Sequence, residues 1–481
     1  LTGTDEHGEK VAQTAAKNGM EPKDFADKNS AAFEAMTENL DISNDDFIRT
    51  TQPEHERQVQ AFVRRLLDDG TVYLGEFEGW YDEGQEEYYT ETKAKEIEYK
   101  SPISGRPLVR ATEKNYYFRL SAFQSRLEAL FAAQPDFVQP DARRNEVLGR
   151  LREGLQDVPM SRTNFTWGVP MPNDRAHVIY VWIDALFNYA TALGLAEPDG
   201  ALFAERSKYW PATYHIIGKE ILWFHAVIWP SLLMALELPL PKCVYAHSFW
   251  ISEGKKMSKT LGNFIDLAAI QSYTETYTLD VFRYFLATQG PLGATDSDFS
   301  QAQFHDVYET DLVNTVGNSA SRVTAMIAKY FDGVVPSEVH GGSRLVIDEV
   351  DWPALTSAAM RSARAKMDAF DLAGAIGESL GIIRRVDAFI NSTEPFKVAK
   401  DESRRAELGA ILYQCAEAIR IASLILWPVC PSKMSELWTA LGVTIDPSEG
   451  DLNALSAWGG LKPGRHVTKV ALFPRLELAG A

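Results

Sequence analysis

The sequence predicts a doubly wound α/β region carrying a small insert, followed by an all-helical bundle. Three observations lead there. Short apolar runs that end in a polar turn and pass into helix-patterned segments recur through the first 300 residues, as in HVIYVWIDA (177–185) and TYHIIGKE (213–220). The stretch 73–152 is different: rich in Tyr, Glu, Gly and Pro, with short strand-like runs. From about 301 onward, apolar residues fall at helical spacing. A chain of 481 residues exceeds one hydrophobic core, and 45% apolar with 24% charged residues is an ordinary globular composition.

Taken in order, residues 1–72 form the first part of the α/β fold. LTGTDEHG reads as a strand running into a loop. Phe33, Met36 and Leu40, then Val59, Phe62, Val63, Leu66 and Leu67, make apolar stripes of helices, the second ending at Gly70. Residues 73–152 are an inserted domain of turns and antiparallel strands, with helical pattern resuming after Tyr117. Residues 153–240 complete the α/β fold, where ligands bind beyond the carboxyl ends of strands. Residues 241–300 hold another strand, KCVYAHSFW, and a lysine-rich loop. In 301–481, Leu312, Val316, Ala320 and Val323 share a helix face, and ELGAILYQCAEAIRIASLIL (407–426) is densely apolar. An antiparallel bundle is expected.

The net charge of −18 argues against a protein that coats nucleic acid non-specifically, while leaving room for local basic patches. Cys243, Cys415 and Cys430 form no CxxC pair, which gives neither a disulfide framework nor a zinc knuckle and fits a reducing compartment. No run of about 18 apolar residues is seen, so no membrane span is expected. Residue 1 is Leu and reads as the end of a strand, so the natural start is expected upstream.

Four segments could carry chemistry. GKKMSKTLGN (254–263) gathers Lys255, Lys256 and Lys259 on one short loop. Like charges this close repel, and the arrangement becomes favourable when a polyanion sits among them. No GxxxxGK[ST] pattern precedes it, so a P-loop is not expected; a helix should begin after Thr260, with Asn263 as a candidate N-cap. In GKEILWFHAVIWP (218–230), Gly218 would let backbone approach a ligand, and Ile221, His225 and Trp229 fall four apart on one helix face. A core helix with a satisfied histidine is the competing reading. In VWIDALFNY (181–189), Trp182 and Asp184 would point to one side of a strand, with Ala185 and Tyr189 on the helix after it. Trp182, Tyr189 and Trp229 could enclose a flexible thioether, or simply pack as core. In TDEHG (4–8), Asp5 could hold a substrate ammonium, or belong to a solvated acidic loop.

As an ordered set, TGTDEHG, YVWIDAL-x-x-Y, IGKEI-x-x-FH-x-x-x-WP and KKMSKTLGN, with Asn318 and Arg322 and the TEPFKVAK segment (393–400), resemble the methionyl-tRNA synthetase family of class I aminoacyl-tRNA synthetases. KMSKT at 256–260 is similar to that class's KMSKS signature. The resemblance implies a Rossmann-like catalytic domain with a small insert and an anticodon-binding helix bundle. It implies a ligase that activates methionine with ATP and Mg²⁺ and esterifies tRNA(Met) for translation initiation and elongation. Lys256 and Lys259 would be catalytic, stabilising the transferring phosphate and pyrophosphate. Asp5 would hold the methionine ammonium, and Trp182, Ala185, Tyr189, Ile221, His225 and Trp229 its side chain. Gly218, Glu220 (where the family usually has Asp) and Arg162 would serve ATP. Asn318 and Arg322 would read the anticodon, and Phe396, in place of the usual Trp, would stack on a base. The family's HIGH signature lies upstream of TGTDEHG, so the 481 residues alone are expected to be poorly active, with an unpaired central strand. A zinc-free insert, a cytoplasmic location, no appended tRNA-binding module, and no membrane or DNA partner complete the expectation. Two other readings stay open: a non-catalytic tRNA-binding derivative, and a class I synthetase for another amino acid.

Overall fold

The computed structural model describes residues 1–476 except 83–86, 90, 103–104, 253, 258–262 and 449. It divides into two compact units, Leu1–His247 and Ser248–Ala481.

In the first unit, Thr2–Thr4 pairs in parallel with Phe47–Arg49. The approach is close: a Cβ on Gly3 would lie 1.9 Å from the Ile48 carbonyl oxygen, so only glycine fits. A second parallel sheet runs in the order Tyr214–Gly218, Cys243–His247, Val138–Gln139. Parallel neighbours need long crossovers, and the helices supply them, as doubly wound grammar requires. Helix Pro53–Asp68 shows why the sequence folds this way. Proline opens it, Glu54 and Glu56 lie in its first turn and Arg65 in its last. Val59, Phe62, Val63 and Leu66 bury one stripe, and Phe62 stacks on Phe187 with centroids 4.9 Å apart. Burial of each such side chain contributes about 1.5–3 kcal/mol.

The strand Val72–Asp82 pairs antiparallel with Val109–Phe118; Glu87–Tyr89 lies on one side and Val158–Pro159 on the other. The stretch 181–184, expected as the end of a strand, is already helix. Residues 178–179 are the strand, and Val181–Leu186 turns at once into helix. Short apolar runs do not reveal their period, which is why the strand expectation failed.

In the second unit, Trp250–Ser252 pairs in parallel with Ser297–Phe299 and antiparallel with Lys255–Lys256. The following helix is Leu267–Tyr277. Its N-cap is Asp266, which accepts from the Ala269 N–H at 2.9 Å, not the expected Asn263. Asn263 instead donates to the Ser252 and Lys256 carbonyls, at 3.1 and 3.3 Å, fastening the base of the lysine loop. Helices Leu279–Gln289, Gln301–Val307, the π-helical Tyr308–Gly317, Asn318–Tyr330, Trp352–Asp368, Leu372–Thr393, Arg405–Leu426 and Pro431–Ala440 supply most of the remainder. Every residue from Leu408 to Leu426 is buried. Contrary to the sequence expectation, the segment Glu402–Leu426 is long and apolar enough to cross a membrane; its apolar window is wholly buried inside this unit. Its two charges there, Glu417 and Arg420, pair with each other at 2.7 Å.

Candidate active site

The end of strand Thr2–Thr4 delivers three polar residues in a row, and they part company. Glu6 turns inward. It accepts from Arg49 Nε and Nη2 at 2.8 and 3.0 Å, from Thr4 at 2.7 Å and from Thr51. Burial alone would raise its pKa, but the Arg49, Thr51 and Thr4 hydrogen bonds outweigh it and hold the carboxyl below its ordinary range. His7 also turns inward, its Nδ1 2.7 Å from Asp184 Oδ2. Gly8, at φ +99°, lets the chain bend, and its N–H donates to the Trp167 carbonyl while the Trp167 indole donates back to the Glu6 carbonyl. Asp5 is left exposed at the solvent edge. Desolvation, and then the charge of Asp184, push its pKa up to about 7.

Asp184 is the hub of this group. It has no exposed surface, and its second oxygen is 2.8 Å from His55 Nε2, while His55 Nδ1 meets the Thr191 hydroxyl at 2.7 Å. Burial would raise Asp184, but the hydrogen bonds from His55 and His7 and the histidines' charges hold it low. The same pairing raises His7, against the opposing effect of burial. Helix Val181–Leu186 therefore turns Asp184 to the histidines, while Trp182, two residues earlier, stacks on Phe224 at 4.3 Å. Trp182 and Asp184 do not share a side as expected of a strand, because a helix turns about 100° per residue.

The aromatic set lies around Tyr189. Its hydroxyl is 2.8 Å from His225 Nε2, and its ring is 5.7 Å from His225, 6.0 Å from Trp229 and 4.1 Å from His215. His225 Nδ1 faces the Ile221 carbonyl at 3.0 Å. A carbonyl only accepts, so Nδ1 carries the proton and Nε2 accepts from Tyr189. Burial lowers His225 to about 4 and His215 to about 3, so both rings are neutral near pH 7. Burial raises Tyr189 to about 12. The segment is not one regular helix. A short 3₁₀ turn, Lys219–Ile221, leads to a π-helical turn, Phe224–Ile228, and then to helix Trp229–Ala235. His225 and Trp229 still converge on Tyr189, and π turns of this kind often mark functional sites. Ala185 and Ile221 are half-buried. The rings that pack together are thus Tyr189, His225, Trp229 and His215, with Trp182 paired to Phe224 rather than to Tyr189.

Gly218 ends its strand beside Glu220, which is exposed. A Cβ on Gly218 would meet the Glu220 carboxylate at 2.4 Å. Arg162 is buried, on strand Ser161–Arg162, with its guanidinium 4.7 Å from the Tyr180 ring centroid. In the second unit, Lys256 is exposed on the short strand Lys255–Lys256; Lys259 lies outside the described residues.

Comparison with known proteins decides the family. The model for class I tRNA synthetases (M) matches residues 1–105 and 91–324. The chain is 42% identical to the methionine–tRNA ligase of Streptomyces coelicolor, over 99% of this chain and 89% of the relative. It is 41% identical to that of Halalkalibacterium halodurans, over 99% of this chain and 72% of the relative. Among solved structures, Mycobacterium tuberculosis methionyl-tRNA synthetase in complex with methionyl-adenylate superposes with a TM-score of 0.88 at 36% identity, covering 99% of this chain and 91% of that one. The chain belongs to the methionyl family of class I tRNA synthetases.

In this synthetase the helical unit carries the other expected residues. Asn318 is exposed at the start of helix Asn318–Tyr330. Arg322, one turn on, is half-buried and ion-paired with Asp387 at 3.2 Å. Phe396 is 48% exposed on the short helix Pro395–Val398, a large aromatic left in water. Sequence reasoning places His7 where the strand meets a loop but gives no role to it, nor to His55, His215 or Phe224. The one available signal for His215 is its place in an apolar strand, two residues before Ile217 and so on the same inward face. Nothing local marks His55, whose partner is 129 positions away.

Proposed function

We infer that this synthetase is a methionine–tRNA ligase. It joins methionine to ATP, releases pyrophosphate and transfers methionine from the adenylate to the 3′ end of tRNA(Met). The observation that carries the assignment of the amino-acid site is the uncharged ring of Tyr189, His225 and Trp229 in the same unit as the carboxyl of Asp5. Asp184 belongs to the Asp5 side of the site: its carboxylate holds His7 and its charge reaches Asp5. An apolar, polarisable enclosure suits a thioether side chain. A carboxyl at the solvent edge suits an ammonium, whose positive charge would draw the Asp5 proton off.

In this reading a methionine carboxylate oxygen bonds to the α-phosphorus of ATP as the bond to the β-phosphate oxygen breaks. ATP arrives as its magnesium complex, so Mg²⁺ enters as part of the substrate. Lys256 and Lys259 stabilise the charge developing on the phosphates, Gly218, Glu220 and Arg162 help to bind ATP, and positioning contributes most of the acceleration. Asn318, Arg322 and Phe396 receive the anticodon, with Phe396 as the stacking platform. A zinc-free insert and a cytoplasmic location, with neither membrane nor DNA as partner, belong to the same proposal.

The test is methionine-dependent ATP–pyrophosphate exchange by the full-length protein beside its Lys259→Ala variant. We expect exchange with methionine and not with valine, isoleucine, leucine or cysteine, and a loss of about 100-fold or more in the variant. Exchange with another amino acid, or an undiminished variant, overturns the assignment.

A further inference from the structure

We propose that His215 is a positioning residue for methionine selection: its Nε2 accepts the Trp229 indole N–H and its ring backs Tyr189, fixing both walls of the pocket without itself needing to touch substrate. The proposal rests on the reading of Tyr189, His225 and Trp229 as the methionine side-chain pocket.

The geometry is specific. His215 lies on strand Tyr214–Gly218, where its backbone is registered against Val244, and its side chain is buried. Trp229 opens helix Trp229–Ala235 and has no exposed surface. Its indole nitrogen is 3.2 Å from His215 Nε2. An indole N–H only donates, so this imidazole nitrogen must be the bare acceptor. The other face of the arrangement is Tyr189, whose ring centroid is 4.1 Å from that of His215. Tyr189 in turn reaches His225, and His225 the Ile221 carbonyl. One imidazole on a sheet strand therefore braces two aromatic rings that come from separate helical segments, Asn188–Thr191 and Trp229–Ala235. Neutrality is a requirement of this role, because a protonated Nε2 could not accept, and burial keeps the ring neutral.

Remove the acceptor and the Trp229 N–H is buried with no partner. That penalty is enough to shift an equilibrium tenfold or more, so the ring would swing or admit water. Shape discrimination in an apolar pocket depends on small differences, of the order of one methylene, and a loosened wall would erode it.

The experiment is ATP–pyrophosphate exchange by the full-length protein as His215→Leu, His215→Gln, Trp229→Phe and the His215→Leu/Trp229→Phe double variant, with methionine, norleucine and ATP varied separately. We expect His215→Leu to raise the methionine KM roughly tenfold and lower the methionine-to-norleucine ratio of kcat/KM. The KM for ATP should stay within about twofold. His215→Gln, which keeps an acceptor oxygen, should restore the methionine KM to within about threefold. In the Trp229→Phe background, which has no N–H to place, His215→Leu should add less than about threefold. An unchanged methionine KM in His215→Leu, or equal losses for ATP and methionine that follow a fall in Tm, or the same His215→Leu penalty with and without the indole, each overturns the proposal. Should His215→Leu fail to fold, Trp229→Phe decides alone: a wild-type methionine KM and norleucine ratio overturn it. Tyr189→Ala separates the two levels. If it leaves the methionine KM unchanged, the pocket reading itself fails; if it raises that KM while His215→Leu does not, only the role of His215 falls.

Discussion

Asp184 in the first unit and Glu417 in the second are both carboxylates with no exposed surface, and they are held in opposite ways. Glu417 is clamped by Arg420, three residues on in the same helix, with both bonds at 2.7 Å. It also accepts the backbone N–H groups of Gly459, Gly460 and Leu461 at 2.8, 2.8 and 3.0 Å. Arg420 completes its own donors on the Leu455 and Ala457 carbonyls. A Cβ on Gly460 would come within 2.5 Å of Arg420 Nη2, so the loop needs glycine there to close. Asp184 has no arginine. Two histidines, His7 and His55, hold it. Guanidinium and backbone N–H do not titrate in the working range, whereas imidazole does. The helical unit uses its buried charge as a fixed fastening. The first unit places a titratable group, His7, on its buried carboxylate beside Asp5.

The comparison breaks first at Glu417. Replacing it with Leu leaves Arg420 buried without its partner and three backbone donors unsatisfied. We expect a loss of about 3–5 kcal/mol in the denaturant transition that reports the helical unit. A loss below about 1 kcal/mol would mean that the pair is solvated and the contrast is false.

Asp184→Asn tests the other hub. It keeps the shape and removes the charge, and we expect a loss of about 1.5–3 kcal/mol near pH 6. The pH dependence has a definite sign. Asp184 is depressed in the fold, so its contribution is present above the unfolded carboxyl value and is lost as pH falls below about 4. His7 is raised, so its contribution is full below about pH 6.5 and is lost as pH climbs through its higher folded value. Urea midpoints of wild type against Asp184→Asn should differ most between about pH 4.5 and 6.5. A difference that stays flat up to pH 9 would show that His7 is not the partner that matters.

Asp5 sharpens the functional half of the contrast. With its carboxyl protonated below about 7 in the free protein, kcat/KM for methionine should fall towards about tenfold per pH unit on the acid side. Asp5→Asn should flatten that limb while lowering the plateau. A profile of the same shape in the variant would assign the limb elsewhere. The smallest effect is expected at Arg322–Asp387, the same kind of pair as Arg420–Glu417 but partly exposed. Asp387→Ala should cost about 0–1 kcal/mol, as exposed ion pairs do, measured in the same denaturant assay. A cost near that of Glu417→Leu would mean that burial is not what separates the two pairs.

The two hubs also show what a sequence discloses. The helix stripe Val59–Phe62–Val63–Leu66 and the dense apolar run 407–426 were readable because helical periodicity is local. The ordered motifs led to Asp5, Tyr189, His225 and Trp229. The stretch 181–184 reads as strand because four or five apolar residues fit either period, and the cap of the next helix is Asp266 rather than Asn263 because both residue types cap well. The pairings His7–Asp184, His55–Asp184 and Trp229–His215 leave no local signal, even where a residue such as His215 has one. They join segments whose meeting is decided by tertiary packing, and no spacing rule reaches that far.

The His7–Asp184 bond spans 177 positions of chain. The whole inserted segment is looped out between the two side chains that meet there. Closing a longer loop adds only about 0.6 kcal/mol for each doubling of its length, so the insert is free to lengthen or shrink with little thermodynamic penalty. The rate of assembly is exposed instead, because contacts so distant in the chain are slow to form.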